Sequence, residues 1–173
     1  MSDRYEIRFS GSGGQGMILA GIIMAEAAAI YGGKNAVQSQ SYGPESRGGA
    51  SKAEVIISQG AIDCMLAMTQ EACTRYHYDV KEGGILLIDS DEVKDEPKGS
   101  FRILRFPIIS TARDELGKTI VANIISLGMI AELTGVVSHE AIEKAVLSRV
   151  PAAFLDLNRK ALQIGFERAK QLK

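Results

Sequence analysis

Cysteine and histidine are both scarce in this chain, with two of each among 173 residues. Cys64 and Cys73 form no C-x-x-C, stand at no zinc spacing with histidine, and fall short of the four ligands an iron–sulfur cluster takes. The chain is therefore expected to hold no metal and, in any redox assembly, to leave the clusters to another chain. Nothing at metal or triad spacing surrounds His77 or His139, so nucleophilic catalysis has little to stand on and no catalytic residue is assigned. Charge of one sign is also missing. Twenty Lys and Arg against 21 Asp and Glu give a net charge of −1, which excludes a protein built to coat nucleic acid. The longest apolar run, residues 17–31, is broken by Glu26 and falls short of the roughly 20 residues that cross a bilayer, so no membrane span is expected. The N-terminus opens with charge and runs into a strand-like segment, so no signal peptide is expected, and free thiols point to the cytoplasm.

What is present is enough for one domain, 1–173, with 46% apolar residues and a full core. Glycine is enriched, 18 residues where roughly 7% is average, and concentrates at 11–16 and 43–49. Strand-like segments are read at 7–10, 36–41, 54–58, 64–68, 85–89 and 101–106, the last stopped by Pro107. Helices are read at 17–31, ending at Gly32-Gly33, and at 70–78. From residue 119 the pattern is purely helical: 119–133, 138–149 with Ser138 as N-cap, and 151 to the C-terminus with Pro151 at the first position. Alternating strands and helices predict an α/β fold, a mostly parallel sheet with helices on both faces, Rossmann-like, with a helical C-terminal third. The last helix shows an inward stripe of Phe154, Leu157, Ala161, Gly165 and Ala169. Helices 17–31 and 119–133 lack a polar face, which predicts that at least one packs against another chain.

Gly11-Ser12-Gly13-Gly14-Gln15-Gly16 satisfies G-x-G-x-x-G directly after a strand and before a helix, where glycines let backbone amides approach a phosphate. A tight strand-to-helix turn explains the same residues, and both explanations stand. A dinucleotide site wants an acidic residue about 20 positions on, and Val37, Gln38, Ser39 and Gln40 stand there instead. Met17-Ile18 replace the Lys-Ser/Thr of an NTP-hydrolysing loop, and Ser10 replaces the first glycine of a nucleophile elbow at Ser12. The acidic run from Asp89 to Glu96 lacks calcium-loop spacing and reads as a solvated loop.

Ser41-Tyr42-Gly43-Pro44-Glu45-Ser46-Arg47-Gly48-Gly49 joins a rigid proline, paired glycines, an aromatic, an acid and a base, the composition of a shaped binding loop. In an open parallel sheet it and the first glycine loop lie at neighbouring strand ends, where ligands bind. A long turn with a weak Glu45/Arg47 pair is the alternative.

These two strings, with Val55-Ile-Ile-Ser58, Gly83-Gly-Ile-Leu-Leu-Ile-Asp89 and Asn123-Ile-Ile-Ser-Leu127-Gly128, resemble the γ subunit, or γ domain, of 2-oxoacid:ferredoxin oxidoreductases over nearly the whole chain. Tyr-Gly-Pro-Glu-x-Arg-Gly-Gly resembles the 2-oxoglutarate and branched 2-oxoacid type rather than the pyruvate type. Ser46 holds the variable position, and Lys52-Ala53 stand where 2-oxoglutarate members often carry a small residue and a cysteine. The resemblance implies oxidative decarboxylation of a 2-oxoacid with coenzyme A to an acyl-CoA, electrons passing to ferredoxin. It implies thiamine diphosphate and Fe–S clusters on partner subunits, since this chain has no Gly-Asp-Gly plus Asn thiamine motif and no cluster cysteines. Its implied contribution is to complete the assembly, with Gly11, Gly13, Gly14, Gln15, Gly16, Ser41, Tyr42, Glu45 and Arg47 shaping the substrate or CoA region. Isolated, it is expected to be inactive and to self-associate. Two competitors remain: a stand-alone nucleotide- or flavin-binding domain using the glycine loop, and a scaffold without a ligand.

Overall fold

A computed structural model of the chain describes residues 5–34, 36–42, 50–56 and 62–173, with backbone alone at 40–42 and 50–56. Six strands form one sheet in the order β2-β3-β1-β4-β5-β6: β1 Glu6–Ser12, β2 Val37–Tyr42, β3 Ala50–Ile56, β4 Ile62–Ala67, β5 Val80–Asp89 and β6 Arg102–Phe106. Pairs β1/β4, β4/β5 and β5/β6 are parallel, and β3 alone opposes its neighbours β1 and β2. A parallel crossover takes a dozen or more residues. The link from β2 to β3 spans only residues 43–49, so β3 returns antiparallel. The mostly parallel sheet expected from the sequence is present, with this one reversal inserted beside β1. The third strand covers Ala50–Ile56, four residues earlier at its start than the apolar run 54–58 suggests, because pairing with β1 and β2 extends it through small and polar residues.

The register places one end of every strand but β3 along a single edge. Ser10 pairs with Ala67, Ala67 with Ile88, and Asp89 with Phe106. On the far side Gly11 and Tyr42 both pair with Ser51.

Alternation along the strands divides the core in two. Ile7, Phe9, Cys64, Leu66, Leu87 and Leu104 face a thick helical layer containing α1 (Met17–Glu26), α3 (Ile108–Leu116), α4 (Ala122–Thr134), α5 (His139–Leu147) and α6 (Leu155–Leu172). Met65, Ala67, Leu86 and Ile88 face the other way, against Cys73 of α2 (Gln70–Tyr76) and Val93. Both faces are covered, with α2 the only described helix on the thin side.

Helix α1 continues as a π-helical turn, Ala27–Tyr31, before stopping at Gly32. Ser138 caps α5 as its sequence position suggests, accepting the Ala141 amide at 3.1 Å. Helix α6 begins at Leu155, after a 3-10 turn, Ala152–Phe154, that follows Pro151. Phe154 is exposed in that turn rather than part of the inward stripe, and Leu162 and Phe166 complete the buried face instead. Helix α3 has no counterpart in the sequence reading. It follows Pro107 directly, buries Ile108, Thr111 and Ala112, and takes its N-terminal cap from a distant strand, the Asp89 carboxylate accepting the Ile109 amide at 2.8 Å.

Residues Ala122 to Ala131 of α4 are buried on every side. The helix packs against α1, α3, α5, α6 and β4. Its missing polar face over these residues is therefore accounted for within the chain, while Leu19, Ile30 and Ile120 of the two apolar segments stay exposed. It crosses α6 at backbone distance: a Cβ on Gly128 would lie 2.5 Å from the Leu162 carbonyl oxygen, and one on Gly165 2.3 Å from that of Ile125. Neither partner atom can swing aside. Gly165→Ala should therefore lower stability by about 1–3 kcal/mol through overpacking. Urea denaturation of the variant beside the wild type checks this, and coincident midpoints would show that the crossing has slack.

Candidate functional site

The glycine motif begins inside the sheet. Strand β1 runs two residues beyond the apolar segment read from sequence, so Gly11 and Ser12 are still paired, opposite Ser51 and Ala50. The turn proper is Gly13-Gly14, after which Gly16 opens α1 in the left-handed region with φ +74°. Gln15 braces the turn. Its Oε1 accepts the Ser12 amide at 2.7 Å and its Nε2 donates to the Met68 carbonyl at 3.4 Å, tying the turn to the end of β4. Gly11 makes room for that carboxamide, since a Cβ there would stand 2.3 Å from Gln15 Oε1. The Gln15 side chain is thus engaged inside the turn, whereas among the described residues nothing lies within 4 Å of where a Cβ on Gly14 would be.

Among the described residues no side chain caps the start of α1. The first amides of a helix lack intrahelical partners and carry the positive end of its dipole, so this opening suits an anion.

One residue beside it, quoted in the sequence only as part of a family string, is not among the site residues read there. Asn123, the second residue of α4, is 6% exposed, and its Oδ1 is buried with no hydrogen bond. Its Nδ2 leans on the turn, 2.5 Å from where a Cβ on Gly16 would be. An unsatisfied buried polar group costs about 1–3 kcal/mol. The available signal was one Asn near the start of an otherwise apolar helix. Asn123 also lines a cavity of about 260 Å³ with Leu19, Ile23, Lys118, Val121 and Phe154.

The second loop is bracketed rather than seen. Ser41 and Tyr42 end β2, and Ala50 opens β3 opposite Ser12. The strand ends that launch the two loops are therefore neighbours on one edge. Gly43 to Gly49, with Glu45 and Arg47, lie outside the described residues.

The other polar candidates are structural. His77 is buried with Nδ1 2.9 Å from the Cys73 carbonyl, and His139 pairs with Glu132 at 2.8 Å while stacking on Phe166. The acidic run is not wholly a solvated loop: its first residue, Asp89, is fully buried and accepts the amides of Asp91 and Ile109 at 2.9 and 2.8 Å. Burial pushes its carboxyl up, against the pull of those donors. Among the described residues no group of three or more His, Cys, Asp or Glu is placed to hold a metal ion, and no helix is long and apolar enough to cross a membrane.

Residues 6–168 match the family described as pyruvate ferredoxin/flavodoxin oxidoreductase. The 2-oxoglutarate synthase subunit KorC of Methanocaldococcus jannaschii is 46% identical over 98% of this chain and 96% of its own length. The ketoisovalerate oxidoreductase subunit VorA of Methanothermobacter thermautotrophicus is 30% identical over 95% of this chain, which spans 36% of that protein. Among solved structures, the gamma subunit of keto/oxoacid ferredoxin oxidoreductase from Geobacter sulfurreducens PCA superposes with a TM-score of 0.92 and 67% identity, covering 97% of this chain and 99% of that one.

Burial pushes the Cys64 thiol up to about 12 and the Cys73 thiol to about 11. Thiolate is the reactive form, and both groups are protonated at pH 8. Neither should react with a disulfide-exchange reagent at that pH until the chain is denatured, when both should. Stoichiometric labelling of the native chain would show a thiol that the fold does not enclose.

Proposed function

This chain belongs to the pyruvate ferredoxin/flavodoxin oxidoreductase family, and from that we propose that it is the γ subunit of a multi-subunit complex converting a 2-oxoacid and CoA to an acyl-CoA with reduction of ferredoxin. The 2-oxoacid is 2-oxoglutarate or a branched one. The observation that carries this is correspondence of length as well as sequence: a 2-oxoglutarate synthase subunit aligns over 96% of itself and 98% of this chain.

Division of labour follows from the donor set. Cys64 belongs to the core on the thick side of the sheet and Cys73 to the core on the thin side, so the two cannot share a cluster. The residues present do not fit a resident Fe–S centre, and the sequence holds no thiamine motif. Both cofactors are assigned to partner subunits. Their chemistry, forming the carbanion equivalent and moving the electrons, takes place there.

What this chain supplies is binding. The uncapped start of α1 and the adjoining second loop offer amides and a guanidinium to the anionic parts of the substrates, the 2-oxoacid carboxylate or the CoA phosphates. Gly11, Gly13, Gly14 and Gly16 shape the first loop, while Ser41, Tyr42, Glu45 and Arg47 belong to the second, and Gln15 acts through the turn it braces. In isolation the chain associates with itself; exposed Leu19, Ile120 (76%) and Phe154 around one cavity support this.

Two outcomes are expected. The purified chain alone turns over no 2-oxoacid, and measurable turnover without partner subunits would overturn the assignment. In the reconstituted complex, Arg47→Lys raises the KM for the 2-oxoacid or CoA by the equivalent of about 1–3 kcal/mol, because lysine cannot reproduce paired guanidinium hydrogen bonds. Steady-state kinetics beside a sizing run measures both, and unchanged KM values with normal assembly would return Arg47 to a solvated or intersubunit charge.

A further inference from the structure

We propose that two copies of this chain join edge to edge through β2, antiparallel about a two-fold axis, so that their sheets continue as one. The proposal rests on the reading that the isolated chain associates with itself, and it names the seam. Strand β2 ends the sheet, and among the described residues no strand pairs with its outer side. An edge strand leaves a row of backbone donors and acceptors open to another strand, and native proteins blunt such rows with charge, proline or a bulge. The other edge of this sheet is blunted in that way. Strand β6 carries exposed Arg102 and Arg105, the latter paired with Glu96. Strand β2 has none of these devices: Val37–Tyr42 holds no proline and no charged residue, and it pairs with β3 along its whole length without a shift in register.

Apolar surface gathers at the same edge. Ile30 is 68% exposed, Val37 63% and Tyr31 40%, all within the short stretch that carries the end of the first helix into β2. The charge of this stretch identifies the occupant. A two-fold interface sets a patch against a copy of itself, so a charged patch would be self-repelling. From Ala27 to Tyr42 the sole charged residue is Lys34, and its Nζ donates to the Val136 carbonyl at 2.6 Å. The edge is thus neutral toward a second copy, and a strand meeting its own two-fold mate pairs antiparallel, as β2 already does with β3. Because β2 ends at Tyr42, where the second loop begins, the seam also steadies one flank of that loop.

The test is sedimentation of the full chain at micromolar concentration. The double variant Val37→Lys/Ser39→Lys changes two exposed positions of β2 and sets lysines of both copies along the seam, so it should raise the dissociation constant about tenfold or more with an unchanged circular dichroism spectrum. Ile120→Asp, at the apolar cavity, should leave association as it is. Hydrogen exchange of the wild type supplies a readout that needs no variant: alternate amides of an edge strand face outward and exchange freely, and in a β2 seam those of residues 37–42 become protected as concentration rises. Association that survives the lysines overturns the seam, as does exchange over 37–42 that is independent of concentration while the chain associates. If Ile120→Asp abolishes association and the lysines do not, self-association stands on the cavity surface and this proposal falls alone. A wild-type chain that sediments as a monomer throughout overturns both. If the lysines spare self-association but block assembly with the partner subunits, β2 takes a strand of a partner subunit and the second copy is excluded as its occupant.

Discussion

A helix with no polar face has to be enclosed, and the enclosure of α4 organises half of this molecule. Residues Ala122 to Ala131 cannot meet water without exposing a continuous apolar surface. The chain solves this by placing α4 directly over the sheet and wrapping α1, α3, α5 and α6 around it. The tightest of these contacts is with α6, where Gly128 and Gly165 bring the two backbones together. Larger residues at either position would push α6 outward and open the layer. The same placement sets the N-terminal end of α4 against the start of α1, so the constraint that builds the core also delivers Asn123 to the glycine turn.

Much of this was legible in sequence because it depends on local pattern. The glycine turn follows a strand and precedes a helix as its spacing requires, and the buried strand β5 was plain from its apolar run. What was not legible depends on contacts distant in sequence. Helix α3 is short and follows a proline, and its cap comes from Asp89, twenty positions away, which no local rule connects to it. Strand β3 is extended by its partners, not by its own residues. The apolar surface of α4 was visible, but sequence alone gives no way to tell a partner chain from a second layer of the same chain.

The second loop marks a different limit. Its residues were the most distinctive in the sequence, and the registers of β2 and β3 bring its flanks beside Ser12. The reversal of β3 is what does this. Were β3 parallel to β1, the loop entering it would open at the opposite edge of the sheet from the glycine turn. A short connection, which forbids a crossover, thus has a topological consequence: it puts the strand ends that flank both glycine-rich segments on one side.

The glycines of the first loop divide between those the fold itself requires and those left open for the proposed binding role. Gly11 is required by Gln15, whose carboxamide occupies the space a side chain would take, and Gly16 by both its left-handed backbone and Asn123. Those two are accounted for by the fold. Gly14 is different, because among the described residues nothing lies within 4 Å of where a Cβ there would stand. Its positive φ alone favours glycine there, yet an open position next to an uncapped helix start is also where a ligand has room to come close to the backbone. The binding role proposed for this loop therefore falls on Gly13-Gly14 and the first amides of α1, and the flanking glycines and Gln15 serve to hold that short stretch in place.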